Sequence, residues 1–173
     1  MTGYYTIKNN NLLIAETPFA LSKFYEDIKE LPFDYENGKY IIENEQLVLN
    51  ENFETEKMAE LKQNKLNEAL KKAYEAEETG TVLYKDAVFE TNSKNISKLT
   101  AMLSMIDAGI IESVQWLSKD DIQIELKKED LLSIGQLIAE YTGALWNVQY
   151  LAFKERIENA ETVQELNEIE IEY

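Results

Sequence analysis

The chain has 173 residues, enough for one ordinary domain or two small ones. Its 33 acidic residues outnumber 17 basic ones, and the formal charge of −16 repels nucleic-acid phosphates and anionic lipid headgroups. Histidine and cysteine are absent, which excludes disulfides, thiolate or imidazole metal sites, and Ser-His or Cys-His nucleophiles. We therefore expect no nucleic-acid partner, no membrane association, no metal and no cofactor.

Residues 1–52 are predicted to form a small β-rich module. Short apolar alternations at 4–7 and 12–15 flank a cluster of asparagines, which is typical of a hairpin. Thr17 and Pro18 suit the start of a helix, and apolar residues then recur at roughly helical spacing as far as Pro32. A second hairpin is predicted at 33–42, with its turn at Asn37-Gly38, followed by a separate short strand at 47–49.

This module is rich in tyrosine, a residue that buries a large area and keeps a polar tip. Half of the 10 tyrosines of the chain fall within its first 40 residues. A docking surface for another protein is one interpretation, and a role in the core and rim of the module is the other. The candidate interface residues in this part of the chain are Tyr4, Tyr5 and Tyr25.

A long helix is predicted at 53–79. Its apolar residues are sparse and form a narrow stripe with Lys and Glu on the other sides, a pattern typical of a solvent-flanked helix or a coiled-coil seam. We interpret it as a connector between two modules and as a candidate self-association element. Its candidate interface residues are Met58, Leu61, Leu66, Leu70 and Tyr74.

Residues 80–173 are predicted to form a helix-dominated domain with short hairpins. Alternating segments predict hairpins at 81–89 and 113–126, with a helix between them that ends at Gly109. A helix at about 129–159 follows, and Thr162 with Glu165 forms a capping box that opens a last short helix. The predicted fold class is therefore α+β, with a small β-rich module, a long connecting helix and this C-terminal domain.

The segment 131–153 has the length of a membrane span, and Glu140 is its only charged residue. Polar residues are spread around it, and each would be costly in lipid, so we expect a buried helix. A catalytic carboxylate would be marked by apolar surroundings, and Glu140 is the single candidate by that criterion. A hydrogen-bond or interface role is the commoner one at such a position, and we expect no enzymatic activity.

A family resemblance covers a little over half of the chain, from Gly80 onward. The segments that carry it are, in chain order, Val82, Phe89, Thr91-Asn92-Ser93, Val114-Gln115-Trp116, 122–126, Lys154-x-x-Ile157-x-x-Ala160 and 162–169. This order resembles a domain of unknown function that recurs in tailed bacteriophages and prophages, often after a variable N-terminal segment. The resemblance implies a place among tail-fibre and baseplate proteins, and it brings no catalytic residues.

Two functional hypotheses follow. In the first, the chain is a structural subunit of a bacteriophage tail or tail-like particle, in contact with other tail, baseplate or fibre proteins. Contact with copies of itself, as a homo-oligomer, is one option for such a subunit. In the second, it is an assembly factor that binds a tail or fibre protein during maturation and then leaves. The start of the chain lacks the basic and apolar regions of a signal peptide, so we expect synthesis in the bacterial host cytoplasm and, for a structural subunit, a final location in the virion tail.

Overall fold

The computed structural model describes residues 3–9, 11–22, 25, 27–32 and 34–173. The chain divides into two compact units, Met1–Glu60 and Leu61–Tyr173. The first contains short antiparallel strand pairs, and the second combines helices with two hairpins. The fold class is α+β, as the sequence predicts.

The first unit is built on a three-stranded antiparallel sheet with the order β2-β1-β3, and a separate hairpin pairs β4 with β5. The register of the first hairpin places Tyr4 opposite Ala15, which confirms the predicted alternation. The described elements are β1 (Tyr4–Lys8), β2 (Asn11–Ala15), α1 (Pro18–Ser22), β3 (Lys29–Glu30), β4 (Tyr40–Glu43), β5 (Gln46–Leu49) and the start of α2 (Phe53–Thr79).

The helix predicted to run toward Pro32 does not reach that residue in the structure. Its described part is Pro18–Ser22, and Tyr25 and Ile28 are not helical; Phe24, on which that prediction also rested, lies outside the described residues. The reason is a tertiary one, because β3 pairs with the open edge of β1 and Leu31 N donates to Gly3 O at 2.8 Å. Pairing with a neighbouring strand outweighs a weak local helical pattern.

The second hairpin also differs from its prediction. Its partners are β4 and β5, so the segment at 47–49, predicted as a separate strand, is one arm of the hairpin. The turn is at Asn44 and Glu45. Both residues have positive φ, as a tight two-residue hairpin turn requires. Gly38 has a φ of +84° and lies in an earlier turn that Lys39 N closes by donating to Glu36 O. Phe33, part of the predicted first arm, lies outside the described residues.

The second unit contains the rest of α2 and all later elements. These are β6 (Thr81–Tyr84), β7 (Ala87–Glu90), α3 (Ser93–Asp107), β8 (Val114–Leu117), β9 (Gln123–Leu126), α4 (Lys128–Ala144), a π-helical segment (Leu145–Tyr150), α5 (Leu151–Asn159) and α6 (Val163–Asn167). Strands β6 and β7 form one hairpin, and β8 and β9 form another. Both predicted hairpins and the capping box at Thr162 are confirmed.

The core of this unit lies between the inner faces of the hairpins and the helices α3 and α4. Phe89 and Trp116 stack with their ring centroids 6.1 Å apart, and each comes from a different hairpin. Side chains at every third or fourth position of α4 cover this pair, as the period of an amphipathic helix requires. The buried members of the core are Ala87, Phe89, Leu99, Trp116, Leu126, Leu131, Ile134 and Ile138.

Helix α2 crosses the boundary between the two units. From Leu61 onward it belongs to the second unit, so the structure does not separate 53–79 as a third segment. Ala69 and Ala73 are fully buried. Lys62 Nζ donates to Glu158 O at 2.7 Å, and Tyr173 Oη donates to Ala69 O at 3.1 Å. The narrow apolar stripe is therefore used within the unit, since small alanines permit a close approach of neighbouring chain.

Candidate protein-interaction surface

The predicted interface residues of the first unit are only partly exposed. Tyr5 is 9 % exposed in the central strand β1, so it belongs to the core of its unit. Tyr4 and Tyr25 are half-buried, and Lys8 Nζ lies 5.1 Å from the centroid of the Tyr25 ring. Met58 is half-buried as well. An interface role for these side chains stays a prediction.

The predicted interface residues of the second unit lie along α2. Leu61, Leu66 and Leu70 are half-buried, whereas Tyr74 is exposed and its ring centroid lies 4.9 Å from that of Trp146. The candidates are thus divided between the two units, and Tyr5 alone of them is a buried core residue. Their use in self-association stays a prediction.

Another exposed apolar surface lies on the helix that runs from α4 through the π-helical segment to α5. Leu132, Val148 and Leu151 are 50 %, 64 % and 49 % exposed. The sequence shows apolar residues on nearly all sides of this helix, from which burial on more than one side was predicted. Helix α4 does pack against α3, β6 and β9, and Tyr141 Oη donates to Ala76 O of α2, but one side of the helix stays exposed. We call the exposed side, with Leu132, Ala139, Val148 and Leu151, the outer face.

The π-helical segment shapes the outer face. A π turn takes more residues than an α turn, so each inserted residue rotates the positions that follow by roughly 100°. This rotation carries Leu151 toward the side of Leu132, whereas a regular α-helix would turn it away. Leu145 stays buried at the start of the segment and anchors it to the unit. Such segments are frequent at functional sites.

The outer face is poor in charge within a strongly acidic chain. Glu140 is exposed there and accepts a hydrogen bond from Gln136 Nε2 at 2.8 Å. Glu140 therefore lies on the surface and is not embedded in an apolar core. Gly135 leaves open space on α4, since a Cβ added there would meet no atom within 4 Å beyond its own helical turns. A partner could thus approach the helix backbone closely.

An apolar groove continues the outer face toward α3. It has a volume of about 230 Å³, and Leu132 and Gly135 line one side of it. Ile96 and Leu103 of α3 line the other side. Ile96 and Leu132 are both exposed, so the groove opens to solvent along an apolar rim. The groove and the outer face together form a surface of the kind that marks protein–protein contact.

Asp130 fixes the position of α4 and hence of this surface. Its carboxylate accepts hydrogen bonds from Lys127 N at 2.9 Å, Tyr84 Oη at 2.7 Å and Lys85 Nζ at 2.6 Å. The backbone donor at Lys127 and then the Lys85 ammonium lower the pKa of Asp130 from 3.8 to about 2. The ionised carboxylate therefore ties the start of the helix to the β6–β7 hairpin.

Within the part of the chain that the structure describes, no group of three or more acidic side chains is arranged to hold a metal ion. No helix within the same residues has both the length and the apolar composition that crossing a bilayer requires.

Comparisons with known proteins give one result. A scan against protein families matches residues 60–172 to a domain of unknown function, DUF4376. Neither a search of curated proteins nor a search of solved structures gives a match. The matched region begins within α2 and contains the core, the groove and the outer face. The chain therefore belongs to the DUF4376 family.

Proposed function

We propose that the chain is a non-enzymatic structural subunit of a bacteriophage tail or phage-tail-like particle, near the baseplate or the tail fibres. The observation that supports a role in protein contact is the outer face, where Leu132, Val148 and Leu151 leave apolar area in water. Burying that area against a partner is favourable by roughly 25 cal/mol per Å². The phage setting rests on the resemblance of residues 80–173 to a domain of tailed bacteriophages.

The occupant of the outer face is a different protein, with an apolar strip and a basic rim. The net charge of −16 argues for this choice. Two copies of the chain in contact would add their long-range repulsion to the cost of association, whereas a basic partner would be attracted. The apolar strip supplies affinity at the centre, and the charges around it set the rate and the specificity of docking.

The direct test is quantitative mass spectrometry of purified tail particles from the source. A structural subunit is present at a fixed, small multiple per particle. Presence in the lysate and absence from the particle contradicts this proposal and supports the alternative, an assembly factor that binds a tail or fibre protein and leaves. A homodimer that buries the outer face in solution contradicts the choice of partner.

A pair of matched substitutions tests the surface itself. Val148→Glu places a charge on the outer face, and Val163→Glu makes the same change on α6, where the side chain is also exposed. Both proteins should fold as the wild type. We expect Val148→Glu to reduce the copies per particle at least tenfold and Val163→Glu to leave them unchanged. Equal incorporation of the two variants contradicts the use of the outer face.

A further inference from the structure

A second surface lies where the two hairpins of the C-terminal unit approach each other. We propose that the cleft between β7 and β8 binds an extended, acidic segment of a partner protein, which pairs with the open edge of β8. The inference goes beyond the proposed function and does not depend on it, because it concerns other residues and holds whether or not the chain is part of a phage tail.

The alternating hydrogen bonds of the β6–β7 hairpin show which backbone groups of β7 are open to a further strand. Thr91 N donates to Gly80 O at 3.0 Å, so this pair is bonded within the hairpin. Backbone groups of alternate residues in an antiparallel pair point inward and outward. The N–H and C=O groups of Val88 and Glu90 therefore point away from β6.

The same reasoning defines the open edge of β8. Ser118 N donates to Ile122 O at 3.0 Å, so the backbone groups of Ser118 point toward β9. By alternation, Trp116 bonds to β9, and the backbone groups of Gln115 and Leu117 point outward. Each of these two residues offers one donor and one acceptor to an added strand.

The two open edges face each other and meet at one end only. Lys119 N donates to Val88 O at 2.9 Å, and Val88 N donates to Asp120 Oδ1 at 3.1 Å. Beyond this point β7 and β8 do not form a ladder within the described sheets. A cleft of about 360 Å³ separates them, and both edges line it, with Lys98 and Met102 of α3 alongside.

The charges at the cleft determine the chemistry of the occupant. Lys98 and Lys119 both line it, and neither has a carboxylate partner among the ion pairs of the described residues. Lys98 Nζ lies 5.9 Å from the centroid of the Trp116 ring, which holds the ammonium beside the cleft. Glu90, the acidic residue of the lining, accepts a hydrogen bond from Asn95 Nδ2 at 2.8 Å.

Two lysines that form no ion pair with a carboxylate of the described residues, Lys98 and Lys119, thus line the same cleft. They favour a peptide with an acidic side chain, because a carboxylate of the peptide would form ion pairs with both ammonium groups. The open strand edge favours an extended backbone, since addition of a strand satisfies the outward donors and acceptors of Gln115 and Leu117. Leu117, which is largely exposed, offers an apolar contact to the same segment.

Amide hydrogen exchange of the full chain tests the open edge before any ligand is added. The amides of Gln115 and Leu117 should exchange fast, and the amide of Trp116, which donates within the hairpin, should exchange slowly. Similar protection of all three amides would overturn the proposal, because it would mean that β8 has no open edge.

Binding is then tested with a library of short peptides of random sequence, selected against the full chain. Selected peptides should contain an acidic residue, slow the exchange of Gln115 and Leu117, and lose binding when their backbone is N-methylated at alternate positions. A library that yields no binder, or binders that leave these two amides unprotected, would overturn the proposal.

The charge requirement has a matched control in the same helix. We expect Lys98→Gln and Lys119→Gln each to weaken the binding of a selected peptide by about fivefold. Lys94→Gln removes the same charge from α3, but Lys94 is exposed and does not line the cleft, so binding should change less than twofold. Equal effects of the three substitutions would show that net charge alone matters, and the assigned site would be wrong.

Discussion

Replacement of Asp130 by asparagine tests how the start of α4 is held. Asparagine has the same shape, but it is neutral and one of its terminal atoms is a donor. Three donors face the carboxylate in the wild type, from Lys127, Tyr84 and Lys85. In the variant one of them faces another donor, and the ammonium loses its counter-ion.

The expected magnitude follows from the pKa of the carboxyl. A pKa of about 2 in the folded chain, against 3.8 for the unfolded group, corresponds to roughly 2 kcal/mol of stability at neutral pH. The Lys85 side chain is 55 % exposed, so solvent screens its share of the interaction. We therefore expect Asp130→Asn to lower the free energy of unfolding by about 1–2 kcal/mol at pH 7.

The sign of the pH dependence provides the decisive comparison. The folded-state pKa of Asp130 is depressed, so its contribution is fully present above pH 3.8 and is lost as the pH falls through about 2. Urea unfolding followed by circular dichroism, at pH 7 and at intervals down to pH 3, gives the difference between wild type and variant. That difference should be constant near neutral pH and should shrink below about pH 4.

Glu129→Gln is the matched control for this measurement. Glu129 is exposed in the same helical turn, so its loss changes the net charge equally without removing the three hydrogen bonds. We expect it to change the free energy of unfolding by less than about 0.5 kcal/mol. An Asp130→Asn variant as stable as this control, or a difference that does not depend on pH, would refute the reasoning.

Three further substitutions probe the packing of the C-terminal unit, each by urea unfolding. Gly80→Ala should lower the free energy of unfolding by about 1–3 kcal/mol, because the added Cβ would lie 2.5 Å from Tyr141 Oη. A variant as stable as the wild type would show that the Tyr141 ring moves freely. Ala73→Leu should lower the free energy of unfolding by about 1–3 kcal/mol, since Ala73 is fully buried. The same change at exposed Ala101 should be nearly neutral. Equal losses of stability in the two variants would contradict the close packing of α2. Thr162→Ala should cost about 1 kcal/mol through loss of the α6 cap, and Thr162→Ser should retain most of it; no loss in the alanine variant would contradict the capping role.

The C-terminal elements could be predicted because their local signals agree with their tertiary contacts. The hairpin of β6 and β7 alternates in sequence, and its inner residue Phe89 enters the core. Gly109 ends α3 with a φ of +70°, in the role that its position after the periodic stretch indicates. Local preference and burial point to the same structure in both cases.

The errors in the first unit arise where two local signals compete. Asn37-Gly38 is the stronger turn signal in sequence, yet the hairpin turns at Asn44-Glu45. A glutamate at positive φ is disfavoured locally, and the pairing of β4 with β5 offsets that cost. The predicted helix before Pro32 gives way to β3 for a similar reason, since the edge of β1 satisfies the backbone of Lys29 and Glu30.

The interaction surface could not be predicted because periodicity shows which side chains are apolar and not which of them are covered. The segment 131–153 is apolar on nearly all sides, so burial was the natural interpretation. Only the tertiary structure shows which side the neighbours leave exposed, and the phase change of the π-helical segment has no signal in the apolar pattern that we recognise. The open edge of β8 is equally invisible, because it depends on which strands fail to meet.

Site-specific photo-cross-linking from the outer face tests the central claim most directly. A photoreactive amino acid is placed at Val148 in one variant and at Val163 in another, during particle assembly in the host, and adducts are identified by mass spectrometry. We predict that Val148 forms one dominant adduct with a structural protein of the finished tail and that Val163 does not form it. The account is contradicted if the Val148 variant is incorporated normally without an adduct to a tail protein, or if both positions give the same adducts.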